Sequence, residues 1–147
     1  DRATERDILI AMTGVEDAQS TAVFTAGELL EAQETVRRMP VGDSVVEAIL
    51  DLVRACRPGE AEATPAVRDS VSWGPGPRAA RAFMLTVRAR ALLNGRLAPS
   101  IDDVRALARP VLSHRMALSF AARARGESLA NIVEGVLGTV SGREAAA

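Results

Sequence analysis

The chain has 147 residues, a formal net charge of −1 and a pI near 5.9, enough for one domain, or one domain with a short appendage, burying roughly 70% of its extended-chain surface. A hydrophobic share of 48% with 25% charged residues excludes a disordered or collagen-like chain. The near-neutral balance argues against a general nucleic-acid binder and leaves room only for a local basic patch. One cysteine, Cys56, excludes an internal disulfide framework and a multi-cysteine zinc site. No apolar run approaches the roughly 18 residues of a membrane span. The chain opens on Asp1 without a Met or a signal peptide, and reads as a cut from a longer protein. Apart from His114, every basic residue is arginine. With so much alanine this reads as genomic composition bias and carries no function.

In chain order, apolar spacing is helical almost throughout. Thr4 with Asp7 is a capping-box pattern for a first helix. Ile8, Leu9 and Met12 supply its apolar side and Gly14 closes it. A loop of small and polar residues follows, through Ala18 to Ala22. Thr25 with Glu28 is a second capping box, after which Leu29, Leu30, Gln33 and Val36 recur at helical spacing until Pro40 stops the helix. Asp43 begins the next helix, with Val46, Ile49, Leu50 and Val53 as its stripe and Arg57-Pro58-Gly59 as its end. The stretch from Pro58 to Val71 lacks clear periodicity and reads as a loop long enough to suggest a site nearby.

Gly74-Pro75-Gly76-Pro77 opens a further helix, with Pro77 in the first turn, where a missing N–H costs nothing. Its stripe is Ala80, Phe83, Met84, Val87 and Ala91, and Asn94-Gly95 terminates it. Ser100 with Asp103 is a third capping box, followed by Val104, Leu107, Ala108, Val111 and Leu112. Pro110 is expected to kink or interrupt that helix. Ala117 to Phe120 fits a short extended segment. Ser128 starts the last helix, striped by Leu129, Ile132, Val133, Val136, Leu137 and Val140. The tail from Ser141 to Ala147 is expected to fray. The expectation is one all-α domain over 1–147, a bundle of about six helices with at most one short strand pair.

Most catalytic constellations are missing. There is no GxxxxGK[ST] phosphate loop, and a chain without lysine has no place for one. No dinucleotide-type glycine fingerprint occurs. Cys56 falls late in a helix beside Ala55 and reads as a buried, inert thiol. His114 reads as a helix C-terminal histidine suited to the local dipole, and Asp102-Asp103 as first-turn carboxylates serving the same electrostatics at the other pole.

The segment Trp73-Gly74-Pro75-Gly76-Pro77-Arg78-Ala79-Ala80-Arg81 stands apart. Arg78 falls in a first helical turn, where the macrodipole disfavours a cation by about 0.3–1 kcal/mol. Exposed N–H groups at a helix start already favour an anion, and an arginine there strengthens the site. Arg78 placed this way can reach a terminal phosphate. A surface arginine after a Pro-rich turn describes the segment equally well. Arg81 can share that face, although solvation is its default. Trp73 reads as a packing residue at the helix entrance in preference to a stacking surface.

At these residues the chain resembles the C-terminal lid domain of the MoxR family of AAA+ ATPases. That family carries Gly-x-x-Pro-Arg-Ala, called sensor 2, at the start of a lid helix. Here it reads Gly74-Pro75-Gly76-Pro77-Arg78-Ala79, with Gly76 where the family usually has Ser or Thr. The resemblance extends over nearly the whole chain. It takes in Glu5-Arg6-Asp7-Ile8-Leu9, Val41-Gly42-Asp43-Ser44-Val45, Leu52-Val53-Arg54 with Arg57, and Arg88-Ala89-Arg90-Ala91 with Gly95-Arg96. It continues through Ile101-Asp102-Asp103-Val104 and Val111-Leu112-Ser113-His114-Arg115.

The resemblance implies a parent that is a ring-forming, Mg-ATP-dependent cytoplasmic ATPase, a hexamer with chaperone-like activity that remodels or matures client proteins. Partners carrying a von Willebrand factor A domain are implied too. ATP would lie between the AAA+ core domain, absent from this chain, and the lid. Arg78 would contact the γ-phosphate and couple hydrolysis to lid rotation, with Gly74 and Pro77 in the same nucleotide-binding turn. Ile8 and Leu9, near the hinge, are candidates for packing on adenine, although ordinary core describes them better. The Mg-binding acidic residues of the core are not in this chain, which by itself is expected not to hydrolyse ATP. Two other classes stay open: a stand-alone helical protein-interaction module, and a helix-turn-helix DNA binder suggested by the arginines from Arg78 to Arg96. A DNA binder predicts steep salt dependence of affinity, and its case is weakened by arginines that interleave with an apolar stripe.

Overall fold

The structure, a computed structural model, describes residues 1–13 and 21–144. It divides into two compact units, Asp1–Ala32 and Gln33–Ala147. In the first, α1 spans Arg2–Thr13. Its cap is Asp1, whose Oδ1 accepts from the Thr4 backbone N–H at 2.9 Å. Thr4 therefore sits in the first turn and does not cap the helix, because an acceptor already stands three residues before it. The expected end at Gly14, and the loop through Ala18, lie outside the described residues. Ile8 and Leu9 are 50% and 64% exposed, so the expectation that they form ordinary core is corrected. α2 spans Ala26–Arg38 and opens on the expected capping box: the Glu28 N–H donates to Thr25 Oγ1 at 3.2 Å, and the Thr25 N–H donates to Glu28 Oε2 at 2.7 Å. The Thr25 N–H, foremost, and the Thr25 hydroxyl, which donates to the same oxygen at 2.8 Å, hold the Glu28 carboxyl below its ordinary pKa.

The second unit holds the core. Its elements are α3 (Asp43–Ala55), α4 (Pro65–Ser70), β1 (Val71–Trp73), α5 (Pro77–Leu93), α6 (Ile101–Leu112), β2 (Ala117–Leu118), α7 (Phe120–Ala124) and α8 (Leu129–Glu144). Phe83 and Val87 of α5 are fully buried among Ile49, Leu52 and Val53 of α3 and Val104 and Leu112 of α6. α8 closes the cluster with Val133 and Val136, and it packs on α3 and α6. With aromatic residues at 3%, aliphatic area drives the packing.

Several expectations change in detail. On α3, Val45, Ala48 and Leu52 join Ile49 and Val53 in the core, while Leu50 is exposed and Val46 half-buried. The apolar stripe is wide enough for two faces, and contact with α5 and α6 chooses between them. The expected loop from Pro58 to Val71 contains α4, capped by Thr64, whose Oγ1 accepts from the Val67 N–H at 3.3 Å. Six residues are too few to show a period. α7 is a second short helix, capped by Ser119 at 3.2 Å. Eight helices thus stand among the described residues where about six were expected. α6 continues through Pro110 to Leu112. The expected strand pair is present: β1 and β2 are antiparallel, with Val71 opposite Leu118 and Trp73 opposite Ala117. α8 runs on as far as Glu144.

The α5–α6 connection is tied by one buried carboxylate. Asp103 is only 2% exposed. It accepts from the Ser100 N–H at 2.8 Å in the capping box. Arg96 grips both its oxygens, at 2.7 and 2.6 Å, and Arg90 lies 3.2 Å away. The Arg96 guanidinium, foremost among these partners, holds the carboxyl down at about 2, below its ordinary 3.8. A group depressed when folded stabilises fully above its unfolded pKa and loses that contribution as pH falls through its folded one. Asp103 should therefore contribute about 2 kcal/mol at neutral pH, lost between about pH 4 and about pH 2. Urea unfolding of Asp103→Asn should show a loss of about 2–3 kcal/mol at neutral pH and a shallower acid decline than the parent chain. An equal decline in both would remove Asp103 as its source.

Candidate functional site

The site is built on the turn between β1 and α5. Gly74 lies so close to the end of α3 that a Cβ on it would stand 2.4 Å from the Cys56 carbonyl oxygen and 2.8 Å from Arg57 Cα. Both obstacles are backbone, so only glycine fits without displacement. Pro75 is buried, and its carbonyl accepts from Arg57 Nε at 2.7 Å. Arg57 is itself held by Glu60 at 3.3 Å. Neighbouring Arg54 pairs with Glu60 at 2.9 Å and Glu62 at 2.7 Å. The residues that looked like featureless loop thus brace the turn from behind.

Gly76 is the N-cap of α5 and Pro77 its first residue. A Cβ at Gly76 would meet nothing within 4 Å, and its φ of −83° suits any residue. Glycine here therefore only forgoes a side-chain cap. Arg78 follows in the first turn. It is exposed and, among the described residues, its side chain makes no hydrogen bond or ion pair.

Arg78 opens onto a groove of about 330 Å³ whose walls include Trp73, Pro77, His114 and Arg115. None of the residues lining it is a carboxylate. Arg115 is half-buried. Its Nη1 donates to the Val111 carbonyl at 2.7 Å and also contacts His114 Nε2. Two guanidiniums and an imidazole on one concave surface, without a neutralising carboxylate, suit an anion with several oxygens.

The structure thus brings Arg78 and Pro77 to one groove, with Gly74 as the seat behind them. Arg81 is exposed and lies outside the groove wall. Ile8 and Leu9 belong to the other unit. Trp73, expected to pack, is 55% exposed and forms part of the wall. His114 is not a helix-end residue, since α6 stops at Leu112 and His114 stands on the turn beyond. Arg57 and Arg115 were missed as site residues, and the His114-Arg115 pair itself was the available signal. Cys56 is fully buried and burial pushes its thiol up to about 12, so it is the inert thiol expected.

Gly74→Ala should destabilise the chain by about 1–3 kcal/mol in chemical denaturation, the usual range for an added carbon that backbone must yield to. Gly76→Ser should stabilise it by a few tenths of a kcal/mol, roughly the capping advantage of serine over glycine. An Ala variant at position 74 as stable as the parent would dismiss the close approach as a constraint.

The AAA lid domain family matches residues 63–136, the span that carries the turn, Arg78 and the His114-Arg115 pair. Chaperone MoxR1 of Mycobacterium tuberculosis is 31% identical over 137 residues, covering 93% of this chain and 36% of that protein. The chain therefore spans about a third of the length of the curated relative it matches. The fold is similar to that of a provisionally assigned ATPase from Cytophaga hutchinsonii, with a TM-score of 0.80 at 24% identity, over 93% of this chain and 42% of that one. At that identity the second likeness is one of fold. Half of the chain matches the family and nearly all of it aligns with MoxR1, so the chain belongs to the AAA lid domain family, as a lid of the MoxR type of AAA+ ATPase.

Proposed function

We propose that this lid senses bound nucleotide through Arg78, acting as the sensor 2 arginine of its parent ATPase. The observation that carries the reading is an exposed arginine with no partner among the described residues, on a braced first helical turn, facing a groove without carboxylates. Arg54, Arg96 and Arg125 are committed to carboxylates; Arg81, Arg109 and Arg123 form no ion pair among the described residues either, and what sets Arg78 apart is its place on the groove. Leaving Arg78 uncommitted against the helix dipole costs stability, and an incoming phosphate supplies the missing counter-charge.

The groove suits the phosphates of ATP: its donors are guanidinium and imidazole. It does not suit Mg, since it offers no carboxylate. Among the described residues no group of three or more His, Cys, Asp or Glu side chains is placed to hold a metal ion. Mg would be held by the rest of the parent. ATP supplies the charge and the phosphoryl group, and Arg78 binds and orients the terminal phosphate and stabilises charge that develops on it. A guanidinium fixed to the start of α5 would also transmit the presence or loss of that phosphate to the whole helix. Ile8 and Leu9 remain the residues proposed for the adenine ring; both are exposed apolar side chains on α1.

For the parent we propose a homo-oligomeric, hexameric ring that works in the cytoplasm on client proteins, with a von Willebrand factor A domain protein as partner. None of the described helices is long and apolar enough to cross a membrane. In the full-length parent, Arg78→Ala should lower ATP turnover by about a hundredfold, the scale for one transition-state donor, with the circular dichroism spectrum unchanged. Unchanged turnover would overturn the sensor assignment and favour a helical interaction module.

A further inference from the structure

We propose that Arg115 is a second phosphate-binding arginine, which grips the same polyphosphate chain as Arg78. The inference rests on the reading of the groove as a phosphate site and adds a residue to it. Arg78 comes from the first turn of α5 and Arg115 from the turn after α6, yet both line one groove of about 330 Å³. That volume falls within the roughly 300–1,000 Å³ of small-molecule sites.

The two arginines share an electrostatic condition. Neither forms an ion pair among the described residues, as Arg54, Arg57, Arg90, Arg96 and Arg125 do, and they differ from other arginines without an ion pair, such as Arg81, Arg109 and Arg123, in lining one groove. Two like charges on one concave wall repel each other, and an anion between them removes that cost. Arg115 is also oriented. Its Nη1 is bonded to the Val111 carbonyl at 2.7 Å and contacts His114 Nε2. No hydrogen bond to another described residue engages its Nε or Nη2. A guanidinium tied at one nitrogen presents its other donors at little further entropic cost. A polyphosphate carries several negative charges along an extended chain, and two such forks placed on different elements fit it better than one.

Trp73 provides the readout. It is the only tryptophan in a chain without tyrosine, and it lines the same groove. The 147-residue chain would be titrated with sodium tripolyphosphate and, separately, with adenosine, following Trp73 emission at about 0.02 M and 0.2 M ionic strength. The expected result is a saturable change with tripolyphosphate that weakens at the higher salt, and none with adenosine. Arg115→Gln and Arg78→Gln should each weaken affinity about tenfold or more, with helicity by circular dichroism unchanged. Should Arg115→Gln fail to fold, Arg115→Lys keeps the charge without the fork and should still weaken binding measurably. Weakening by Arg78→Gln with unchanged affinity in the Arg115 variants overturns this proposal and leaves the sensor reading standing. A response to adenosine alone, or no saturable response to tripolyphosphate, also overturns it. The sensor reading is then decided separately by turnover of the full-length Arg78→Ala protein.

Discussion

The approach of Gly74 to the end of α3 is the constraint on which the site depends. A Cβ there would stand 2.4 Å from the Cys56 carbonyl oxygen, so the backbone itself forms the contact. That contact sets where the chain turns after β1, and hence where α5 begins. Arg57 then fastens the adjacent Pro75 carbonyl at 2.7 Å. Asp103 fixes the other end of the same helix, through Arg90 within it and Arg96 just beyond it. α5 is thus anchored near both termini, while Phe83 and Val87 bury its middle. A side chain on its first turn inherits that rigidity, which is what preorganised recognition of an anion requires.

Charge is distributed to the same end. All the strong cations are arginine, and planar forks are well suited to bridging carboxylates in fixed geometry, as Arg96 does with both Asp103 oxygens. The structural arginines Arg54 and Arg57 use Glu60 and Glu62 from the stretch after α3. The groove before α5 receives no carboxylate, so none of the residues that line it neutralises its positive charge. Aromatic economy is also local. Phe83 is fully buried and Trp73 is more than half exposed, so the large indole serves as a groove wall and contributes little to the core.

The legible parts of the sequence were those decided over a few residues. The Thr25-Glu28 and Ser100-Asp103 boxes marked true helix starts, because a cap is satisfied within one turn. Asn94 and Gly95 marked a true helix end, with Gly95 at φ +70°. α4 and α7 escaped notice because five or six residues give no period, although Thr64-Pro65 and Ser119 carried the capping signal. On α3, the choice of Leu52 over Leu50 for the core could not be read from a stripe with apolar residues on two faces.

By itself, the sequence determined a helical lid of the MoxR type and an arginine at the start of one of its helices, since these rest on local pattern and motif order. Tertiary structure alone decided that Gly74 must be glycine, because its obstacle, Cys56, lies 18 residues earlier, just past the end of α3. It also decided that Arg78 faces His114 and Arg115 across one groove. Those partners meet only when α5 and α6 pack, and side chains brought together by packing leave no spacing for a sequence to display.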